Sequence, residues 1–223
     1  MDRPASGPRV WSSGRIPFVA PVDDRAGGTW FGINARGLVA GITNRFMAPR
    51  YADRRSRGTV VTDALGYPDV ETLHAALSRL DPGSVNAFHL LYADPSGAAG
   101  VTWTDGAHLC QERLPSGVHI LTERSLGAAE AVPARVTFVR SRWPAPRADG
   151  TPDAEALMRL LSHHDEADPL AATCVHVPAF NYGTRSSTVL LVADDPARSQ
   201  YWAADDSPCR APFVDRSALL SSL

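Results

Sequence analysis

A chain of 223 residues, 44% of them hydrophobic, suits a single domain able to bury a sizeable core. Its formal net charge of −2 is scattered along the sequence, without the basic stripe of a nucleic-acid binder, so no nucleic-acid partner is expected. All 22 basic residues are arginine, and the absence of lysine excludes Schiff-base enzymes, pyridoxal-phosphate enzymes and P-loop NTPases, each of which gives a lysine a specific task.

The first stretch, to about Asp24, is rich in Pro, Gly and Arg and reads as loop with one short strand at Ile16–Ala20. Two apolar runs follow, Gly28–Ile33 and Gly37–Thr43. The join, Asn34-Ala35-Arg36-Gly37, has the Asn and Gly that supply positive φ in a tight turn, so a β-hairpin is predicted. Arg45–Arg57 is polar and arginine-rich, an excursion over the surface. Its run Arg54-Arg55-Ser56-Arg57, beside Arg50 and Asp53, reads as a solvated loop, with the grip of an anionic ligand as the alternative. Helices are predicted at Gly58–Leu65 and Val70–Leu80, the second opened by Pro68-Asp69 and closed by Asp81-Pro82-Gly83.

From Asn86 to Leu121 the pattern is a meander of strands at Ala87–Ala93, Ala99–Thr104, Ala107–Arg113 and Val118–Leu121, with Gly- or Pro-containing turns between them. Two helices come next. Pro133–Arg142 is stopped by Trp143-Pro144, and Pro152–His163 has Pro at its first position. Strands at Thr173–Val177, Ser187–Ala193 and Ser199–Ala203 and a polar tail complete the chain. Strands, helices, then strands again with hairpin connections predict an α+β fold with antiparallel sheets.

Metal and membrane signals are weak. Cys110, Cys174 and Cys209 form no metal-ligand spacing, and an odd cysteine count without a signal peptide fits a reducing cytosol. No apolar stretch approaches a membrane span, so a cytoplasmic location is expected. Cys174 and His176 share one strand face, but two ligands are too few for a site. His163-His164 are adjacent on a helix and diverge by roughly 100°. No metal site is predicted.

The hairpin carries more. Glycines flank Trp30-Phe31, and a strand glycine marks close approach by another backbone or a ligand. Asn44 leaves the partner strand at the hairpin's mouth, where its amide either donates to an oxyanion or caps a turn. Gly28-Thr29-Trp30-Phe31-Gly32-Ile33, Arg36-Gly37 and Thr43-Asn44 together resemble the signature of the NRDE, or transport-and-Golgi-organisation, family. The resemblance continues through Arg57-Gly58-Thr59-Val60-Val61, Asn86-Ala87-Phe88-His89-Leu90-Leu91 and Tyr182-Gly183-Thr184-Arg185-Ser186-Ser187-Thr188, in the family's order. Asp2-Arg3-Pro4 resembles the tail of the segment after the family's Asn-Arg-Asp-Glu tetrad.

That resemblance implies a relative of the N-terminal-nucleophile hydrolases, with an αββα sandwich of antiparallel sheets formed by one domain over residues 1–223. Members begin Met-Cys, then a strand, then the tetrad; here these are not in the sequence, so the opening strands are expected to be missing. Exposed strand edges would then invite pairing between chains, and a homodimer is one outcome. In that class the terminal nucleophile's own amine is the base, and Met1-Asp2 offers neither. Glu123 stands where many members have Asn, and a carboxylate repels an oxyanion. No catalytic residue is therefore predicted. Animal members are implicated in haem movement and lipid homeostasis, which implies a small amphipathic ligand, haem or an acyl compound. Thr29, Trp30, Asn44, Glu123 and Arg185 are the candidate ligand-binding or oxyanion-hole-like residues, with Arg185 as carboxylate partner. The alternative is a C–N amide hydrolase or acyltransferase whose nucleophile is encoded upstream of a misassigned start.

Overall fold

The computed structural model describes residues 4–46, 48–124 and 133–223. Met1-Asp2-Arg3, which enter the family resemblance, lie outside them. Backbone contacts group the chain into two compact units. The larger holds the described residues up to 124 with 192–198 and 219–223, and the smaller holds 133–191 with 199–218.

The larger unit is built on a seven-stranded antiparallel meander: β1 (Ala5–Trp11), β2 (Phe18–Asp23), β3 (Phe31–Asn34), β4 (Val39–Asn44), β5 (Phe88–Ala93), β6 (Ala99–Thr104) and β7 (Leu109–Arg113), in chain order across the sheet. Between β4 and β5 come α1 (Arg57–Ala64) and α2 (Val70–Leu77). On α2, Val70, Leu73 and Leu77 fall at helical spacing and are buried, as are Val60, Val61 and Ala64 of α1. They pack with Phe18, Ala40, Phe88, Leu90 and Tyr92 of the sheet and Leu38 of the β3–β4 turn in one hydrophobic core. Strand alternation explains the selection in β5, where Phe88, Leu90 and Tyr92 point one way and His89 and Leu91 the other.

Side-chain caps fix both helix starts. Ser56 accepts from the Gly58 amide at α1, and Asp69 accepts from the Thr72 amide at α2. Tyr92 closes the far end of the core: its hydroxyl lies 2.5 Å from His74 Nδ1 and 3.0 Å from Thr102 Oγ1. A Cβ on Gly100 would stand 2.7 Å from that ring, so β6 keeps glycine where the tyrosine crosses it.

Two expectations for this unit are corrected. Residues 5–11, expected as loop, form edge strand β1, whose register with β2 shifts between Ser6 and Arg9. Pro8 and Pro21 both sit at that bulge, where no ladder hydrogen bond needs their missing N–H, so proline content did not prevent a strand. Residues 118–121, expected as a strand, form none. Val118 is exposed and His119 Nε2 lies 2.7 Å from the Pro115 carbonyl oxygen, so local bonding replaces a ladder.

In the smaller unit, α3 (Pro133–Ser141) and α4 (Ala154–Leu161) precede a two-stranded pair, β8 (His176–Val177) with β9 (Tyr182–Gly183). A three-stranded sheet of β10 (Ser187–Leu191), β11 (Gln200–Ala204) and β12 (Val214–Asp215) follows. Pro152 was expected at the first helical position of α4; instead Asp153 is the N-cap, accepting from Ala156 N at 3.0 Å, because a carboxylate serves the free amides there. No helix of the described residues is long and apolar enough to cross a membrane.

Candidate functional site

The hairpin of β3 and β4 is held from both ends. At its turn, only Gly37 takes positive φ, at 83°; Asn34 acts through its side chain. That amide is fully buried and makes four hydrogen bonds. Nδ2 donates to the carbonyls of Leu65 (2.9 Å) and Tyr67 (2.7 Å), and Oδ1 accepts from the amides of Arg36 (2.9 Å) and Leu38 (3.0 Å). Asn34 thus ties the turn to the C-terminal end of α1.

At the other end, the glycines mark a close approach, and the approaching group is backbone. A Cβ on Gly28 would lie 2.7 Å from the carbonyl carbon of Gly58, and one on Gly58 would lie 3.1 Å from Thr29 N. The start of α1 is therefore pressed against the segment that leads into β3. Thr29 is 1% exposed, and its hydroxyl donates to the Phe31 carbonyl at 2.9 Å, which makes it a brace for this crossing.

The arginine-rich excursion lies beside this crossing and is braced by residues 84–87. Asn86 clamps the backbone of Tyr51 twice, accepting from its N–H at 2.7 Å and donating to its carbonyl at 2.9 Å. Arg54 donates to the Val85 carbonyl and stacks 4.1 Å over the Tyr51 ring. Arg57 donates to the Ala87 carbonyl at 3.1 Å. Arg55 reaches Asp63 at 2.8 Å. These bonds hold the loop as one wall of a cavity of about 840 Å³.

Thr29, Trp30 and Asn44 line that cavity, together with Arg50, Arg54, Arg55 and Arg57. Asp23 is the one carboxylate among the described residues of the lining, and it accepts from the amides of Arg25 and Ala26 in its own turn. Arginines therefore outnumber carboxylates among the described lining residues, with Arg55 paired to Asp63, while Trp30, Ile42 and Tyr51 add apolar side chains. Such a wall is chemically suited to an anionic head on an apolar body, since arginine matches carboxylates bidentately. The volume is in the range of small-molecule sites. The arginine run, read as a solvated loop with ligand grip as the alternative, is part of this wall. Periodicity could not reveal that, because its placement depends on Asn86, a residue distant in sequence.

Glu123 and Arg185 are not in the cavity lining. The Glu123 carbonyl accepts from Phe46 N at 2.8 Å, just past the end of β4, and Arg124 stacks 3.6 Å over the Phe46 ring. Thr122 likewise accepts from the Thr43 hydroxyl at 3.2 Å. Glu123 thus belongs to the segment that buttresses the end of β4. Arg185 is exposed and lies in the smaller unit.

The fold also gathers a potential metal-ligand set in the smaller unit. Cys174, His176 and Cys209 bring their donor atoms within 4.8 Å of one another. Cys174 and His176 alone were too few; Cys209 is the third donor, supplied from 33 residues beyond His176. Burial pushes the Cys174 thiol up to about 11.

A family model described as Transport and Golgi organisation 2 matches residues 1–202. The Transport and Golgi organization protein 2 homolog of Bos taurus is 28% identical over 226 residues, covering 86% of this chain and 78% of that protein. The Homo sapiens homolog is 26% identical over 205 residues, covering 78% and 70%. Among solved structures, penicillin V acylase from Agrobacterium tumefaciens aligns with a TM-score of 0.50 at 15% identity, covering 97% of this chain and 78% of that one. At that identity the likeness speaks for fold alone: an α+β fold of antiparallel sheets, of the N-terminal-nucleophile-hydrolase type.

Proposed function

The chain belongs to the Transport and Golgi organisation 2 family, and from that premise we propose that it is a ligand-handling protein whose cavity takes a small amphipathic carboxylate, either haem or an acyl compound. The observation that carries this reading is the placement of Arg50, Arg54, Arg55 and Arg57 with Trp30 and Ile42 around one cavity of about 840 Å³. The guanidinium groups take the carboxylate, and the apolar side chains take the body of the ligand. The proposed setting is the cytoplasm, in keeping with the cysteine usage.

Amide hydrolysis in the same cavity would need an activated nucleophile there. Among the described residues, each aliphatic hydroxyl of its wall bonds to a backbone group, and Thr43 Oγ1, which also lies 3.4 Å from His89 Nδ1, donates to a carbonyl. Thr29 is bonded to the Phe31 carbonyl, Thr43 to the Thr122 carbonyl, and Ser56 caps α1. Binding without turnover is therefore the proposed activity.

Titration of the purified protein with haem, followed at the Soret band, and with a fluorescent fatty acid tests the proposal. Saturable binding of at least one is expected. It should weaken about tenfold or more in the Arg50→Gln/Arg54→Gln double variant, since charge-assisted bonds contribute about 1.5–3 kcal/mol each. Arg185→Ala is the comparison substitution. A loss confined to that variant would move the site away from the cavity, and no saturable binding of either probe would overturn the reading.

A further inference from the structure

The cavity does not account for the cluster on β8 of the smaller unit. His176 Nε2 lies 3.4 Å from Cys174 Sγ and 3.1 Å from Cys209 Sγ. One ring nitrogen has a single lone pair or a single N–H, so it cannot satisfy both sulfurs as a hydrogen-bond partner. A metal ion can satisfy all three. Tetrahedral zinc takes sulfur at about 2.3 Å and imidazole nitrogen at about 2.0 Å, which places S···N edges at roughly 3.5 Å and the S···S edge at roughly 3.8 Å. The observed separations, all within 4.8 Å, need only small side-chain adjustments to meet that geometry.

We propose that Cys174, His176 and Cys209 form a zinc site, with a water molecule as the fourth ligand. The ligand set is charge-balanced, since two thiolates and a neutral imidazole neutralise a divalent ion. That balance matters because Cys174 is fully buried, and an unbalanced charge there would be costly. On binding, each thiol loses its proton to solvent as its Zn–S bond forms, with no change of oxidation state. Sulfur and imidazole together favour zinc over the oxygen-preferring magnesium and calcium.

The surrounding backbone is arranged to hold the three donors. Thr184 touches both halves of the site: its hydroxyl accepts from Val175 N at 3.0 Å, and its carbonyl accepts from Ser207 Oγ at 2.6 Å. The Ser207 carbonyl in turn accepts from the amides of Arg210 and Ala211, closing the turn that presents Cys209. His164 Nδ1 lies 3.2 Å from the Cys174 carbonyl oxygen, and its ring meets that of His176 edge-on at 4.7 Å. Thr184 and His164 are thus positioning residues, the outer support that metal ligands require.

The test uses the full chain, reduced, stripped with a chelator, and then given zinc or cobalt(II). One equivalent of zinc should survive dialysis, and cobalt should develop the thiolate charge-transfer absorption of a tetrahedral site. Cys209→Ser and His176→Ala should each weaken binding tenfold or more, whereas Cys110→Ser should bind as the parent does. Cys110 and Cys209 are both exposed, so these serine variants leave the fold intact, which circular dichroism verifies. The proposal is overturned if the reduced parent retains no stoichiometric metal, or if Cys209→Ser binds as tightly as the parent. It is equally overturned if the protein as isolated holds no metal and peptide mapping finds Cys174 and Cys209 labelled by a thiol reagent only after reduction, since the two would then be a disulfide.

Discussion

Gly28, just before β3, and Asn34, at its end, both act through contacts that are remote in sequence. Replacing Gly28 by alanine drives a Cβ to 2.7 Å from the Gly58 carbonyl carbon, with backbone on both sides and no flexible side chain to yield. Overpacking of this kind costs about 1–3 kcal/mol, so the unfolding free energy from urea denaturation should fall by that much in Gly28→Ala, lowering the midpoint. An unchanged midpoint would show that the crossing relaxes freely. Asn34→Ala strips partners from the carbonyls of Leu65 and Tyr67 and from two amides, which should cost about 3 kcal/mol in the same assay. A loss below about 0.5 kcal/mol, the level of an ordinary surface change, would contradict its role as a staple. The glycine was legible in the sequence because a glycine between strand residues implies close approach. The asparagine is a turn residue, as its type implies, but positive φ belongs to Gly37, and nothing near Asn34 in sequence identifies Leu65 and Tyr67 as its partners.

At the scale of elements, α2 depends on Asp69, whose carboxyl is held below its ordinary value first by the Thr72 amide and next by the Thr72 hydroxyl. A carboxylate with a depressed folded value contributes stability above the unfolded carboxylate range and loses it as pH falls through the folded value. Asp69→Ala should therefore lower stability by about 1 kcal/mol at neutral pH, with the gap to the parent narrowing below about pH 4. Denaturant unfolding across that pH range checks this, and a gap that widens in acid would contradict the cap. Most elements were visible in the sequence because alternation and turn residues agreed, as in residues 88–93 and 99–104 of the meander. Strand β1 was not, because Gly7 and Pro8 argue against a strand and only pairing with β2 makes one. The segment 118–121 failed in the opposite direction: its apolar residues suit a strand, but it forms no ladder there.

For the whole molecule, the sequence resemblance identified the family and fold type, and Thr29, Trp30 and Asn44 do line one cavity. The arginine wall and the three-residue sulfur and imidazole cluster were less legible for one physical reason. Each is assembled from segments that meet only in the folded chain, Arg50–Arg57 against Asn86 in one case and Cys209 against His176 in the other. The arginine-lined cavity is proposed to hold an amphipathic carboxylate. Its most direct test is an equilibrium haem or fatty-acid titration of the parent beside Arg50→Gln/Arg54→Gln. The parent should bind at least one probe saturably, and the double variant about tenfold or more weakly. Equal affinity in the two proteins, or no saturable binding of either probe by the parent, would contradict that proposal.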